Sequence, residues 1–157
     1  MSAIAGNVRA LKALVGRNCG LMAVVKADGY GHGMCRVAEV ALENGAAMLA
    51  VARVEEGVHL RTSGIDAPVL VMGYTPPGLI REIIDHNLIQ TVWSTNEAHR
   101  LSQEAVAKNT VARVHFKVDT GMGRLGKNMI TEDAQAGPAS AVREALAIHD
   151  LPGLLLE

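Results

Sequence analysis

Apolar residues recur along this chain in two alternating rhythms. Ile4, Val8, Leu11 and Val15 repeat at helical spacing and Gly16 follows as a stop, which predicts a first helix. Residues 20–26 form a short continuous apolar run and read as a buried strand. Met34, Val37, Ala38, Ala41 and Leu42 then lie on one helical face, with Gly45 at its end. Residues 47–52 predict a second strand, 54–62 a short helix, and 69–72 a third strand behind Pro68. Pro76 and Pro77 open the next helix, with Leu79, Ile80, Ile83 and Ile84 turned inward. A fourth strand is expected at 90–93. Ser94-Thr95-Asn96-Glu97 has the form of a capping box, so a helix starts there and carries Ala98, Leu101 and Ala105 on one face. Residues 111–118 read as a fifth strand, 138–149 as a sixth helix, and Leu154-Leu155-Leu156 as the start of a sixth strand. The loop 127–138, with Gly137-Pro138, is the longest irregular stretch.

Short strands that alternate with helices imply an α/β fold with a parallel sheet. An open doubly wound sheet and a closed eight-stranded barrel begin alike. No dinucleotide fingerprint follows the first strand, which weighs against the nucleotide-binding open sheet. No linker or low-complexity segment divides the 157 residues, and one domain is the default reading.

Composition narrows the partners. Net charge is -1 with both signs interspersed, and neither a basic patch nor an aromatic ladder appears, so nucleic acid is not an expected partner. Cys19 and Cys35 form no disulfide framework and no metal pattern; buried free thiols in a reducing compartment are the expectation. No apolar run is long enough to span a membrane, and Asn7, Arg9 and Lys12 interrupt the start, so no signal peptide is read. A cytoplasmic protein fits. No Ser-His-Asp order, metal-ligand cluster or phosphate-binding P-loop occurs. His59, His86, His99 and His149 lie on helical stretches and read as surface residues.

Two strings carry chemistry. The first is Lys26-Ala27-Asp28-Gly29-Tyr30-Gly31-His32-Gly33, directly after the first predicted strand. Strand alternation puts Met22, Val24 and Lys26 on one face. An amine at a strand end can join an aldehyde cofactor, and glycine-rich backbone can approach a phosphate; pyridoxal phosphate offers both groups. The competing reading is a solvated lysine at a strand end. Tyr30 could hydrogen-bond a phosphate or simply pack over the following helix, and His32 reads as a turn or capping group.

The second string runs from Arg113 through Val114-His115-Phe116-Lys117-Val118-Asp119 to Thr120-Gly121-Met122-Gly123-Arg124-Leu125-Gly126. Alternation places Arg113, His115 and Lys117 on one face and Ala112, Val114, Phe116 and Val118 on the other. An interior lysine is costly unless paired or neutralised, which makes Lys117 a functional or modified candidate. An edge strand with one wet face is the alternative. Arg124, on a glycine turn, suits a phenolate, a carboxylate or a carbamate, or stands as a surface arginine.

Together these strings resemble the signatures of the bacterial alanine racemases, a family of pyridoxal-phosphate barrels. Residues 23–33 look like the cofactor-lysine motif and 117–126 like the second signature, and the similarity runs across nearly all of the chain, including Leu49-Ala50-Val51-Ala52 and the strand before Gly73-Tyr74. The resemblance implies a partial (β/α)8 barrel, about six of eight parallel strands, without the family's C-terminal β domain. It implies interconversion of L- and D-alanine for peptidoglycan precursors. Lys26 would hold the cofactor as a Schiff base and act as the base on one face. Tyr30 would bind the phosphate, and Val24 and Met72 would pack on the ring. Arg124 would contact the phenolic oxygen and assist substrate binding. Lys117 would be carbamylated and position Arg124. Gly29 stands where alanine is common in the family, a difference with no evident chemical consequence. Full-length members are homodimers, and the partner subunit supplies a second base. The expectation is therefore an N-terminal piece that is inactive alone. A serine-racemase relative and a non-catalytic pyridoxal-phosphate barrel are the alternatives.

Overall fold

The computed structural model describes residues 1–130 and 137–157. The chain forms two compact units, Met1–Met72 and Gly73–Glu157. The first has three parallel strands with helices between them, and the second has three more plus a separate parallel pair.

In the first unit α1 (Ser2–Val15) ends at Gly16, whose φ of 78° lets its N–H return to the Lys12 carbonyl. Val8 is the buried residue of α1, and it packs with Ala41, Ala46, Ile4, Leu21, Ala23 and Leu42. β1 (Met22–Val24) pairs in parallel with β2 (Met48–Val51), which pairs with β3 (Val69–Val71). Leu49, Ala50 and Val51 of β2 are fully buried, as a strand flanked on both sides and covered on both faces requires. β1 corrects the expectation of a buried strand over 20–26. It stops at Val24, pairs only with β2 within this unit, and leaves Val24 38% exposed. Lys26 therefore lies beyond the strand and opens a one-turn segment, α2 (Lys26–Gly31). α3 (Met34–Glu43) buries Met34, Ala38 and Ala41 as its periodicity predicts, and Val40 as well. α4 (Val54–Thr62) buries Val54, Gly57 and Leu60. Cys19 is exposed and Cys35 half-buried, both free, so the buried-thiol expectation fails for Cys19.

In the second unit a 3-10 turn (Pro77–Leu79) leads into α5 (Ile80–Asp85), which buries Ile80 and Ile83. β4 (Ile89–Val92) is buried throughout. Its one amide, Gln90, is satisfied internally: Nε2 donates to the carbonyls of Gly73 and Thr91, and Oε1 accepts from the Thr75 hydroxyl at 2.7 Å. The Ser94 hydroxyl caps α6 (Thr95–Ala107) by accepting from the Glu97 N–H. Ala98, Leu101 and Ala105 form the buried face of α6, joined by Ser102, whose hydroxyl donates to the Pro152 carbonyl. β5 (Ala112–Phe116) is shorter than the predicted 111–118. Val118 instead belongs to a two-residue strand, β6 (Val118–Asp119), paired in parallel with β7 (Lys127–Asn128). Val118 is exposed and Phe116 half-buried, so the predicted apolar face is sound only at Ala112 and Val114. α7 (Pro138–His149) and β8 (Leu154–Leu156) complete the unit, with β8 parallel to β5. Of the predicted loop 127–138, residues 131–136 lie outside the described residues. Among the described residues no helix is long and apolar enough to cross a membrane, and no cluster of ligating side chains could hold a metal.

Candidate active site

In each unit the chemistry-bearing string follows the C-terminal end of a strand, where parallel α/β proteins place their sites. The first string adopts an unusual backbone. Ala27, Asp28, Gly29 and Tyr30 have φ from 52° to 61° and ψ from 38° to 53°, so α2 is a left-handed turn. Each L-residue other than glycine held there costs about 1–2 kcal/mol. The turn is closed by Gly29 N–H to the Val25 carbonyl and by Gly33 N–H to the Asp28 carbonyl, both at 2.9 Å. The Asp28 carboxylate accepts from Met34 N–H at 2.8 Å and starts α3. Glu56 on α4 accepts from Ala27 N–H at 2.8 Å. Gly29 is buried, and a Cβ there would lie 3.1 Å from the Val37 side chain. A glycine at 29 thus has a packing consequence that its sequence context does not show.

Lys26 is half-buried. Among the described residues its amine meets no carboxylate, and Nζ stands 5.9 Å from the centroid of the Tyr30 ring. Tyr30 is 60% exposed. His32 closes the turn through its N–H to the Gly29 carbonyl, as its capping reading expects. Val24 ends β1. Met72 continues β3 through its N–H to the Val51 carbonyl and is half-buried.

In the second unit Arg113 and His115 share the polar face of β5 and both meet Glu157. Arg113 forks onto the carboxylate with two 2.9 Å bonds, and His115 Nε2 lies 3.7 Å away. These bonds, Arg113's above all, hold the Glu157 carboxyl below its ordinary pKa. Lys117 bridges β5 and β6. Its backbone bonds the Val92 carbonyl and the Lys127 N–H, and its half-buried side chain has no ionic partner among the described residues.

The Arg124 loop is folded around a carboxylate. Asp119 accepts from the N–H groups of Gly121, Gly123 and Arg124 at 2.9, 3.1 and 2.9 Å. Those backbone bonds, Gly121's first, pull its pKa down. Arg124 itself is exposed, and its guanidinium reaches Met122 Sδ at 3.2 Å. Glu144 anchors the far end of the loop. Its Oε2 accepts from Lys127 Nζ at 2.8 Å, and its Oε1 takes the Thr95 N–H and hydroxyl at 2.6 and 2.7 Å. The Lys127 bond and then the Thr95 bonds lower the Glu144 pKa to about 2.

Sequence reasoning missed Asp28, Glu56, Asp119 and Glu144. Asp119-Thr120-Gly121 does carry a turn signal, since aspartate side chains bond backbone N–H groups two residues on. Glu56 and Glu144 act from helices on distant loops, and no local spacing announces that.

Parallel strands that alternate with helices define an α/β domain of the barrel type. The chain belongs to the alanine racemase N-terminal domain family, whose model matches residues 1–151. It is 56% identical over its whole length to the alanine racemase of Desulfosudis oleivorans, of which it spans 40%. Among solved structures, the alanine racemase of Clostridium difficile 630 superposes on all of the chain with a TM-score of 0.91 at 32% identity, and the chain covers 39% of it. The Bacillus anthracis alanine racemase with bound L-Ala-P aligns over 99% of the chain with a TM-score of 0.84 at 32% identity, and the chain covers 38% of it. The fold is thus the N-terminal part of that barrel, and the chain spans about 40% of the length of such relatives.

Proposed function

We propose that this chain carries the cofactor-lysine part of a pyridoxal-phosphate-dependent racemase that interconverts L- and D-alanine. The observation that carries the reading is Lys26. Its amine has no carboxylate partner among the described residues, and it projects from a strained turn beside an exposed phenol. The donor set fits the cofactor: a primary amine for its aldehyde, the Tyr30 hydroxyl for a phosphate oxygen, and the apolar Val24 and Met72 side chains for a ring. When bound, pyridoxal phosphate supplies an electron sink for the pair left as the substrate α-proton departs.

Lys26 would hold the cofactor's aldehyde carbon and would serve as the acid–base group for the substrate proton on one face. Arg124 would supply a guanidinium for the cofactor's phenolic oxygen and for the substrate carboxylate. Lys117, by adding its neutral amine to carbon dioxide with loss of a proton, would exchange a costly half-buried cation for a carbamate anion that would position Arg124. Racemisation also needs an acid–base group on the opposite face, and a homodimer is the assembly that would provide it. The ligand of the Bacillus anthracis relative, L-Ala-P, supports alanine as the substrate class.

The test is D-alanine formation from L-alanine by the protein that contains this segment, with Lys26→Ala beside it. Loss by about a thousandfold or more is expected for a lysine that moves the proton. Faster turnover of serine would move the assignment to a serine racemase, and cofactor absorbance without turnover of either amino acid would leave a binding protein.

A further inference from the structure

The Glu56 carboxylate gathers N–H groups from two separate connections. Oε2 accepts from Ala52 and Arg53 at 2.8 and 3.0 Å, at the end of β2 and the start of its own helix. Those bonds are ordinary helix capping. The third is not. Oε1 accepts from Ala27 at 2.8 Å, 29 positions earlier in the chain. Ala27 is the residue after Lys26 and the first of the left-handed residues.

We infer that Glu56 is the positioning residue for Lys26, holding the amine's backbone attachment by pinning Ala27 to the end of β2. Asp28 ties the far side of the turn to α3 through Met34, so the turn is held at both ends by carboxylates. The Glu56 bond is the one adjacent to Lys26. Ala27 has no intrinsic reason to be left-handed, and without its acceptor the backbone there relaxes toward the ordinary allowed regions. That rotation redirects the Lys26 side chain. No ion pair among the described residues steers the amine, which leaves its backbone attachment and the Tyr30 ring, 5.9 Å away, to orient it. The meaning of this for catalysis rests on the proposed cofactor role of Lys26; the clamp itself does not.

The experiment separates clamp from cap. Glu56→Asp keeps a carboxylate in the first turn of α4 but is one methylene too short for Ala27, and Glu56→Ala removes both functions. Two readouts are taken on each purified protein that contains this segment: amide hydrogen exchange at Ala27, with Leu49 and Val51 as core references, and reductive trapping of added pyridoxal phosphate mapped by mass spectrometry. In Glu56→Asp the Ala27 amide should exchange about ten- to a hundredfold faster, the equivalent of one charge-assisted hydrogen bond, while the reference amides hold. Trapping at Lys26 should fall about tenfold relative to the other lysines. Unchanged Ala27 exchange in both variants would overturn the clamp, and so would a freed Ala27 amide with undiminished trapping at Lys26. Should the unaltered protein that contains this segment show no trapping at Lys26, the cofactor reading fails and the exchange data alone decide the clamp.

Discussion

Asp28, Glu56, Asp119 and Glu144 all direct carboxylate oxygens at backbone N–H groups of turns or helix starts. Charged acceptors make the stronger class of hydrogen bond, and here they shape the two segments that carry the chemistry. Glu144 makes a pH prediction. Its folded pKa of about 2 lies below the ordinary 4.5. Its contribution to stability is therefore complete above that ordinary value and is lost as pH falls through the interval toward about 2. Urea midpoints followed down this range should drop more steeply for the native chain than for Glu144→Gln, and parallel curves would deny Glu144 that role. Gly126 makes a steric one. At φ 131° a Cβ would sit 2.9 Å from the Asp119 nitrogen. Gly126→Ala should lower stability by about 1–3 kcal/mol, read from the denaturant midpoint, because both the backbone at 126 and its close approach to β6 resist it.

Among the elements, the capped helix α6 is the most directly testable. Ser94→Ala removes the hydroxyl that accepts the Glu97 N–H and should cost about 1 kcal/mol in equilibrium unfolding. Elements such as α6 were legible because period, cap and stop agree at one place. The same holds for α4 and α7, whose bounds match the apolar pattern and its Pro and Gly punctuation. The strands were legible in order but ran long at β1 and β5, because an apolar run does not say where pairing stops. β6 and β7 left no apolar signature, being two residues each. The left-handed turn was illegible for a different reason. Ala27, Asp28 and Tyr30 carry no preference for positive φ strong enough to predict it, and the conformation is imposed by acceptors on α4 and by the start of α3. Lys26, Tyr30, Lys117 and Arg124 stand out in the sequence by residue type and spacing. The carboxylates that fold the backbone beside Lys26 and Arg124 do not.

At the scale of the whole molecule, apolar surface is the feature with consequences. Leu11, Leu14 and Val15 are exposed along α1, with Leu14 at 81%, and Val142 and Leu146 are exposed along α7. Such stripes mark surfaces that seek a partner, and a net charge of only -1 offers little repulsion between copies. Sedimentation velocity should therefore show concentration-dependent association of the 157-residue chain. Leu14→Glu combined with Leu146→Glu should shift the distribution to the smaller species. An unshifted distribution would mean that these stripes do not drive it.

The turn after Lys26 follows, in an L-chain, the path that a mirror-image peptide takes without strain. Position 27 of this protein is thus one where the enantiomer of the encoded residue is the better fit. A semisynthetic chain with D-alanine at 27 should unfold later than the all-L chain by about 1–2 kcal/mol, provided its N–H still reaches Glu56.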